Sequence, residues 1–276
     1  MPPHVSHALL NEDLVEARAY QLEAVDEALT SSMLLVMPTA AGKTAVIWMT
    51  IAEKLAEEGG RVMMIAPTVG LVEQHLRSIE DMISFEQDAV SITGQIPPSK
   101  RVCLWESSRL IIATPKVVLN DVNNGVLNLS IFSLLVVDEA HHCTGEHAMA
   151  LVCDSYISSN NSPHILGVTA SPGHRPESVR EICSRTGANR IHIRNSEEEM
   201  LKGYLSELEI REISVRVPDE MKELAQPFII WQQGIVDRQR RMGRYILPGI
   251  VSFAGLSSAM DRSKAAIGRG EVSGYQ

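Results

Sequence analysis

The chain has 276 residues, 45% of them hydrophobic, and its 25 basic and 34 acidic side chains leave a formal net charge of −9. That length and apolar share suffice for one large α/β domain with a smaller unit beside it. The acidic balance excludes a protein that binds nucleic acid through its whole surface, so any such contact is local. No uncharged apolar run is long enough to span a bilayer, and Met1-Pro2-Pro3-His4 has neither the basic nor the apolar region of a signal peptide.

In chain order, Leu14, Ala17, Gln21/Leu22 and Val25 share one helical face, which predicts a helix from about Leu14. Met33-Leu34-Leu35-Val36 reads as a buried strand, and the stretch from Ala45 to Leu55 as an apolar helix ended by Gly59-Gly60. Arg61 to Ala66 is a second strand, followed by a helix over 71–82. Ala89 to Ile92 is a short strand, and Pro97-Pro98 opens a helix that runs to about Ser107. Arg109 to Ala113, Ile131 to Val137 and Ile165 to Thr169 complete the strand series. Strands alternating with helices imply a parallel sheet with helices on both faces and functional loops at the carboxyl ends of the strands.

Beyond Ser196 the composition changes. Glu197-Glu198-Glu199 begins a polar helical stretch. Ile213, Val215 and Val217 alternate with polar residues as a half-buried strand, and the pattern is helical from Pro218. Phe228, Ile229, Ile230, Trp231, Ile235 and Val236 offer an apolar surface ahead of Arg238, Arg240, Arg241 and Arg244. That basic cluster reads first as a solvated helical face and second as a nucleic-acid contact. The residues from Gly268 to Gln276 look frayed. Cys103, Cys143, Cys153 and Cys183 show no CxxC spacing and read as reduced thiols of a cytoplasmic protein. His141, His142, Cys143, His147 and Cys153 match no zinc spacing.

Two segments carry the chemistry. After the first strand comes Met37-Pro38-Thr39-Ala40-Ala41-Gly42-Lys43-Thr44, and after a later one Asp138-Glu139-Ala140-His141. A strand, a small-residue loop ending in Gly-Lys-Thr and a helix make a phosphate cradle. Backbone N–H groups face the phosphates, Lys43 reaches the β/γ-phosphates and Thr44 binds Mg²⁺. Asp138 holds the metal, and Glu139 orients or deprotonates an attacking water. Gly-Lys-Thr alone is a common tripeptide; the flanking strand and helix, with Asp138-Glu139 on a later strand, point to hydrolysis of a nucleoside triphosphate.

With these motifs in order, the chain resembles the first motor domain of superfamily 2 DExH helicases, most of all the archaeal Hef and Fanconi anaemia group M branch, over residues 14–195. The resemblance implies a RecA-like fold and an ATP-dependent DNA helicase or translocase acting on branched or forked DNA, with ATP and Mg²⁺ as cofactors. It implies that Gln21, in the stretch from Arg18 that resembles the family's adenine-sensing motif, reads adenine, that Arg18, Pro38, Thr39, Ala40, Ala41, Gly42, Lys43, Thr44 and His141 line the nucleotide, and that Thr169 and Ser171 couple nucleotide state to nucleic-acid grip. Pro67, Thr68, Thr93, Gly94, Thr114 and Pro115 resemble the family's strand-binding loops, although Thr68, Thr93 and Thr114 could equally cap helices. Residues 1–217 would form the ATP-binding domain, and 218–276 a helical extension that is part of an insertion domain.

Some positions depart from the family. Met37 stands where the general loop pattern has Gly, and Ala40 where many helicases of this group have Gly. Nothing after residue 196 resembles the second motor domain, which in the family supplies an arginine finger. The expectation is a chain with little turnover by itself, dependent on that domain of the same longer protein as its partner. Two other functions fit the motifs: a double-stranded RNA translocase of the RIG-I-like group, and a nucleotide-dependent nucleic-acid-binding module without turnover. Trp105 and Trp231 read as packing residues rather than base-stacking platforms.

Overall fold

The computed structural model describes residues 4–11, 14–83, 89–173, 175–195 and 218–241, with single positions at 198, 260 and 264. The chain divides into two compact units, residues 1–207 and 208–276, each of which is described by itself. The polar helical stretch after Ser196, the strand expected at 213–217, Arg244 and the C-terminal residues lie outside the described positions.

In the first unit seven parallel strands alternate with helices: α1 (Ala19–Thr30), β1 (Met33–Val36), α2 (Lys43–Ala56), β2 (Val62–Ile65), α3 (Val69–Met82), β3 (Ala89–Ile92), α4 (Pro98–Ser107), β4 (Leu110–Ala113), α5 (Pro115–Asn123), β5 (Leu134–Asp138), α6 (Ala148–Ser159), β6 (Ile165–Thr169), α7 (Pro176–Thr186) and β7 (Arg190–Ile193). The sheet order is β3-β4-β2-β5-β6-β1-β7. Helices cover both faces, so the central strands are apolar on both sides rather than alternating with polar residues. In β1, Met33 and Leu35 enter the core packed under α1, α2 and α3, while Leu34 and Val36 enter the one packed under α5, α6 and α7. β5 divides in the same way, Leu134 and Val136 to one face and Leu135 and Val137 to the other. Each fully buried aliphatic side chain contributes about 1.5–3 kcal/mol, so both layers are strongly held to the sheet. This is the RecA-like architecture that the resemblance implied.

One helix boundary is corrected. The first helix begins at Ala19, not Leu14. Residues before it are drawn into pairing with the N-terminal segment: the Val5 N–H donates to the Val15 carbonyl at 2.8 Å, and His4 bridges Glu16 antiparallel. Leu14, expected on the buried face of that helix, is instead exposed, and Val15 is the residue that enters the core. β7 had no expectation. Only His192 of its four residues points inward, where its Nδ1 lies 3.0 Å from Glu27 Oε2, so the segment lacks an apolar run.

In the second unit, α8 (Asp219–Arg241) confirms the helical reading after Pro218 and carries Pro227 within it. Phe228, Ile229, Ile230 and Ile235 are exposed on it. Trp231 is 69% exposed, so the packing role expected of it is not met among the described residues. Trp105 is buried as expected, its indole N–H donating to Asp121 Oδ2 at 2.8 Å. Among the described residues no helix is long and apolar enough to cross a membrane.

Candidate active site

β5, β6 and β1 are neighbours, and their carboxyl ends deliver three of the expected motifs to one place. The loop after β1 turns through Ala40 and Gly42, both left-handed at φ 66° and 83°. Gly42 has a second constraint, because a Cβ there would stand 2.1 Å from Gln21 Nε2. Lys43, the first residue of α2, folds back over the loop, its Nζ 3.0 Å from the carbonyls of both Met37 and Pro38. Burial lowers its pKa, opposed by the nearby carboxylates of Glu139 and Asp138. The ammonium therefore stands close to both acidic residues of the second motif. Thr39 and Ala40 form the exposed crest of the loop, and Ala41 its buried base.

Gln21 also reaches this loop. Its side-chain amide donates to the Ala41 carbonyl at 3.2 Å, beside the Tyr20 hydroxyl, which donates to the same oxygen at 3.1 Å. Arg18, held by Glu16 at 2.8 Å, lines with Gln21, Gly42 and Thr44 a cavity of about 350 Å³ next to the loop. Gln21, expected to read adenine, and Arg18, expected to bind the nucleotide, thus stand together beside the cradle.

Asp138 ends β5, and Glu139 follows in a left-handed turn at φ 56°. A left-handed non-glycine residue is strained, and here the turn delivers a carboxylate to the loop mouth. His141 Nδ1 lies 3.2 Å from both Glu139 Oε2 and Thr169 Oγ1. Thr169 in turn donates to the Ser171 carbonyl and accepts from the Ser171 N–H, each at 3.2 Å. The expected coupling residues are therefore joined to the second motif through one imidazole.

The loops after β2, β3 and β4 gather at the other half of the sheet. Pro67, Gly94, Thr114 and Pro115 line one cavity of about 630 Å³ together with Lys116, Glu146 and His147. Thr68 and Thr93 stand apart from it. Thr68 caps α3, accepting from the Leu71 N–H at 3.2 Å. Thr93 is buried, and its hydroxyl accepts from the Gln95 N–H at 3.4 Å, which pins the turn that exposes Gly94. Thr114 occupies the N-cap position of α5 without a side-chain cap bond.

Residues 18–179 match the family model described as DEAD/DEAH box helicase. The chain belongs to the DEAD/DEAH box helicases. MJ1505 of Methanocaldococcus jannaschii, provisionally named an ATP-dependent RNA helicase, is 37% identical over 79% of this chain. The Drosophila melanogaster protein named DEAD-box ATP-dependent DNA helicase Fancm is 32% identical over 75% of it. The chain spans 28% and 14% of those two relatives. The crystal structure of the Pyrococcus furiosus Hef helicase domain aligns with a TM-score of 0.70 at 27% identity, over 95% of this chain and 55% of that one. The likeness to the Hef and Fanconi anaemia group M branch is thereby borne out.

Against the helicase motifs, two residues went unread. Tyr20, between Arg18 and Gln21, has no role of its own in the motif reading, yet its hydroxyl fixes the cradle at Ala41. His75 on α3 places Nε2 2.7 Å from Asp138 Oδ2. A lone histidine on an amphipathic helix carries no signal for a partner 63 positions away; the pairing needs the adjacency of β2 and β5.

Proposed function

We propose that the chain is the first motor domain of an ATP-dependent DNA helicase or translocase that works on branched or forked DNA. One observation carries the reading. Neighbouring strands β5, β6 and β1 bring Asp138, Glu139, Thr169 and the Lys43 loop to one mouth, while β3, β4 and β2 carry a second set of loops at the same carboxyl ends. In this reading residues 1–217 are the motor domain, 218–276 are a helical extension belonging to an insertion domain, and a second motor domain of a longer protein is the partner.

Lys43 meets the β/γ-phosphates and Gln21 with Arg18 selects adenine. Thr44 and Asp138 offer hard oxygen donors, which suit Mg²⁺. A cation held there would supply charge that offsets that of the phosphate oxygens. Glu139, which follows β5 in a left-handed turn, accepts the proton of the attacking water. His141, Thr169 and Ser171 carry the nucleotide state toward the neighbouring loops. Pro67, Gly94, Thr114 and Pro115 approach a nucleic-acid backbone, which positions a strand without reading its sequence. Thr68 and Thr93 shape those loops from behind.

The test is calorimetry with a non-hydrolysable ATP analogue and Mg²⁺. Lys43→Ala should weaken binding by on the order of 100-fold, the loss of charge-assisted bonds to two phosphates. Unchanged affinity would refute the cradle. Turnover by this chain alone should stay low with or without forked DNA, because an arginine finger from elsewhere is worth roughly 10³-fold or more. The name of MJ1505 favours RNA as a second reading. Tighter binding to double-stranded RNA than to forked DNA would establish it.

A further inference from the structure

We infer that His75 is a positioning residue for Asp138, holding its carboxylate in the orientation that accepts a divalent cation. The inference rests on the metal role proposed for Asp138. His75 is 7% exposed, and its Nε2 lies 2.7 Å from Asp138 Oδ2. An ionised carboxylate only accepts, so Nε2 carries a proton and donates. That commits one carboxylate oxygen and fixes the plane of the group. Oδ1 takes no hydrogen bond among the described residues, which leaves it for a cation. Trp48, fully buried on α2, stands edge-on to the imidazole with centroids 6.0 Å and planes 75° apart. The ring is therefore wedged between the helix that starts at Lys43 and the strand that ends at Asp138. Groups that hydrogen-bond a metal-ligating carboxylate set its orientation, and losing one typically costs about 10–100-fold in metal affinity.

The other account of His75 is a core histidine that satisfies its own polar atoms. That role would change melting temperature without changing cation dependence. Two amide substitutions separate the accounts. The His75→Gln side chain reaches the position of Nε2 with an N–H donor, whereas that of His75→Asn is too short. Binding of a fluorescent ATP analogue is followed over a Mg²⁺ series, with melting temperature measured on each metal-free protein. His75→Asn should raise the Mg²⁺ concentration at half-saturation about tenfold. His75→Gln should stay within about threefold of wild type, and affinity without Mg²⁺ should be equal in all three. A folded His75→Asn protein with the wild-type midpoint overturns the proposal, as does a His75→Gln midpoint displaced as far as that of His75→Asn. Should His75→Asn not fold, His75→Gln decides alone: a tenfold displacement overturns the proposal and a midpoint within threefold supports it. If wild-type protein binds the analogue without regard to Mg²⁺, the metal role of Asp138 fails first and the inference falls with it.

Discussion

The two halves of the sheet are built on opposite principles. In β5, β6 and β1 the loops end in charged or strongly polar side chains that already hold one another: Lys43 on the carbonyls of Met37 and Pro38, Asp138 on His75, His141 on Glu139 and Thr169. In β3, β4 and β2 the loops present prolines, a glycine and a threonine to a largely apolar cavity that Lys116, Glu146 and His147 also line, and a buried ion pair sits behind them. There Asp121 on α5 accepts both guanidinium arms of Arg101 on α4 at 2.7 Å, and Arg101 also donates to the Ile96 carbonyl beside the exposed Gly94. A site that stabilises developing charge needs its dipoles fixed in advance. A track that lets a strand pass needs shape and little commitment.

If this division holds, a substitution in one half should leave the other untouched. The largest effect is expected at Glu139. Glu139→Gln keeps size and hydrogen bonding but cannot take up a proton, so single-turnover hydrolysis in a protein carrying both motor domains should fall roughly 10²–10⁴-fold. Affinity for ATP and for DNA should remain. Hydrolysis at the wild-type rate would remove Glu139 as the base, and loss of DNA affinity would show that the halves are not separable at this residue.

The half proposed to hold nucleic acid breaks at Arg101. Arg101→Met strands the buried Asp121 carboxylate and frees the Ile96 turn, at a cost of about 3 kcal/mol of stability. Burial works against ionisation of Asp121, yet the hydrogen bonds from Arg101 and Trp105 hold its pKa below the ordinary range. A depressed folded pKa contributes stability that is full above the unfolded value, about 4, and is lost as pH falls through the folded value. The gap between variant and wild type should accordingly be widest near neutral pH and close on acidification, as denaturant midpoints would record. DNA affinity should fall while ATP affinity stays. The double variant Arg101→Met with Asp121→Asn, which removes the charge and keeps an oxygen to accept from Trp105, should recover most of the stability; failure to recover it would locate the loss in the freed turn rather than the stranded charge.

The same division explains what the sequence could disclose. The nucleotide motifs were legible because their chemistry demands particular residue types in unbroken runs beside apolar strands, as at Gly42-Lys43-Thr44 and Asp138-Glu139. The track residues were only partly so. Thr93 has the composition of a contact but is buried as a turn pin, and the cavity wall at Lys116, Glu146 and His147 was not foreseen because it is assembled from separate elements. His75 and β7 needed sheet order, which no local pattern encodes.

The smallest effect tests the loops directly, by exchanging their backbone demands. Ala40 sits at φ 66° on the exposed crest of the nucleotide loop, where a left-handed L-residue costs about 1–2 kcal/mol. Ala40→Gly relieves that strain but adds about 0.4–1 kcal/mol of unfolded-chain entropy, for a net gain of roughly 0.5–1 kcal/mol. Gly94, in the half proposed to hold nucleic acid, has no left-handed φ, and a Cβ there would meet no atom within 4 Å. Gly94→Ala should for that reason stabilise by a similar roughly 0.4–1 kcal/mol, here through the unfolded chain alone. Opposite exchanges should thus give the same sign, each a rise of about 2 °C in melting temperature for a unit of this size. Destabilisation by Ala40→Gly would mean that the left-handed crest is not what the loop requires. Destabilisation by Gly94→Ala would mean that the track loop is as conformationally committed as the nucleotide loop, and the contrast between the halves would have to be given up.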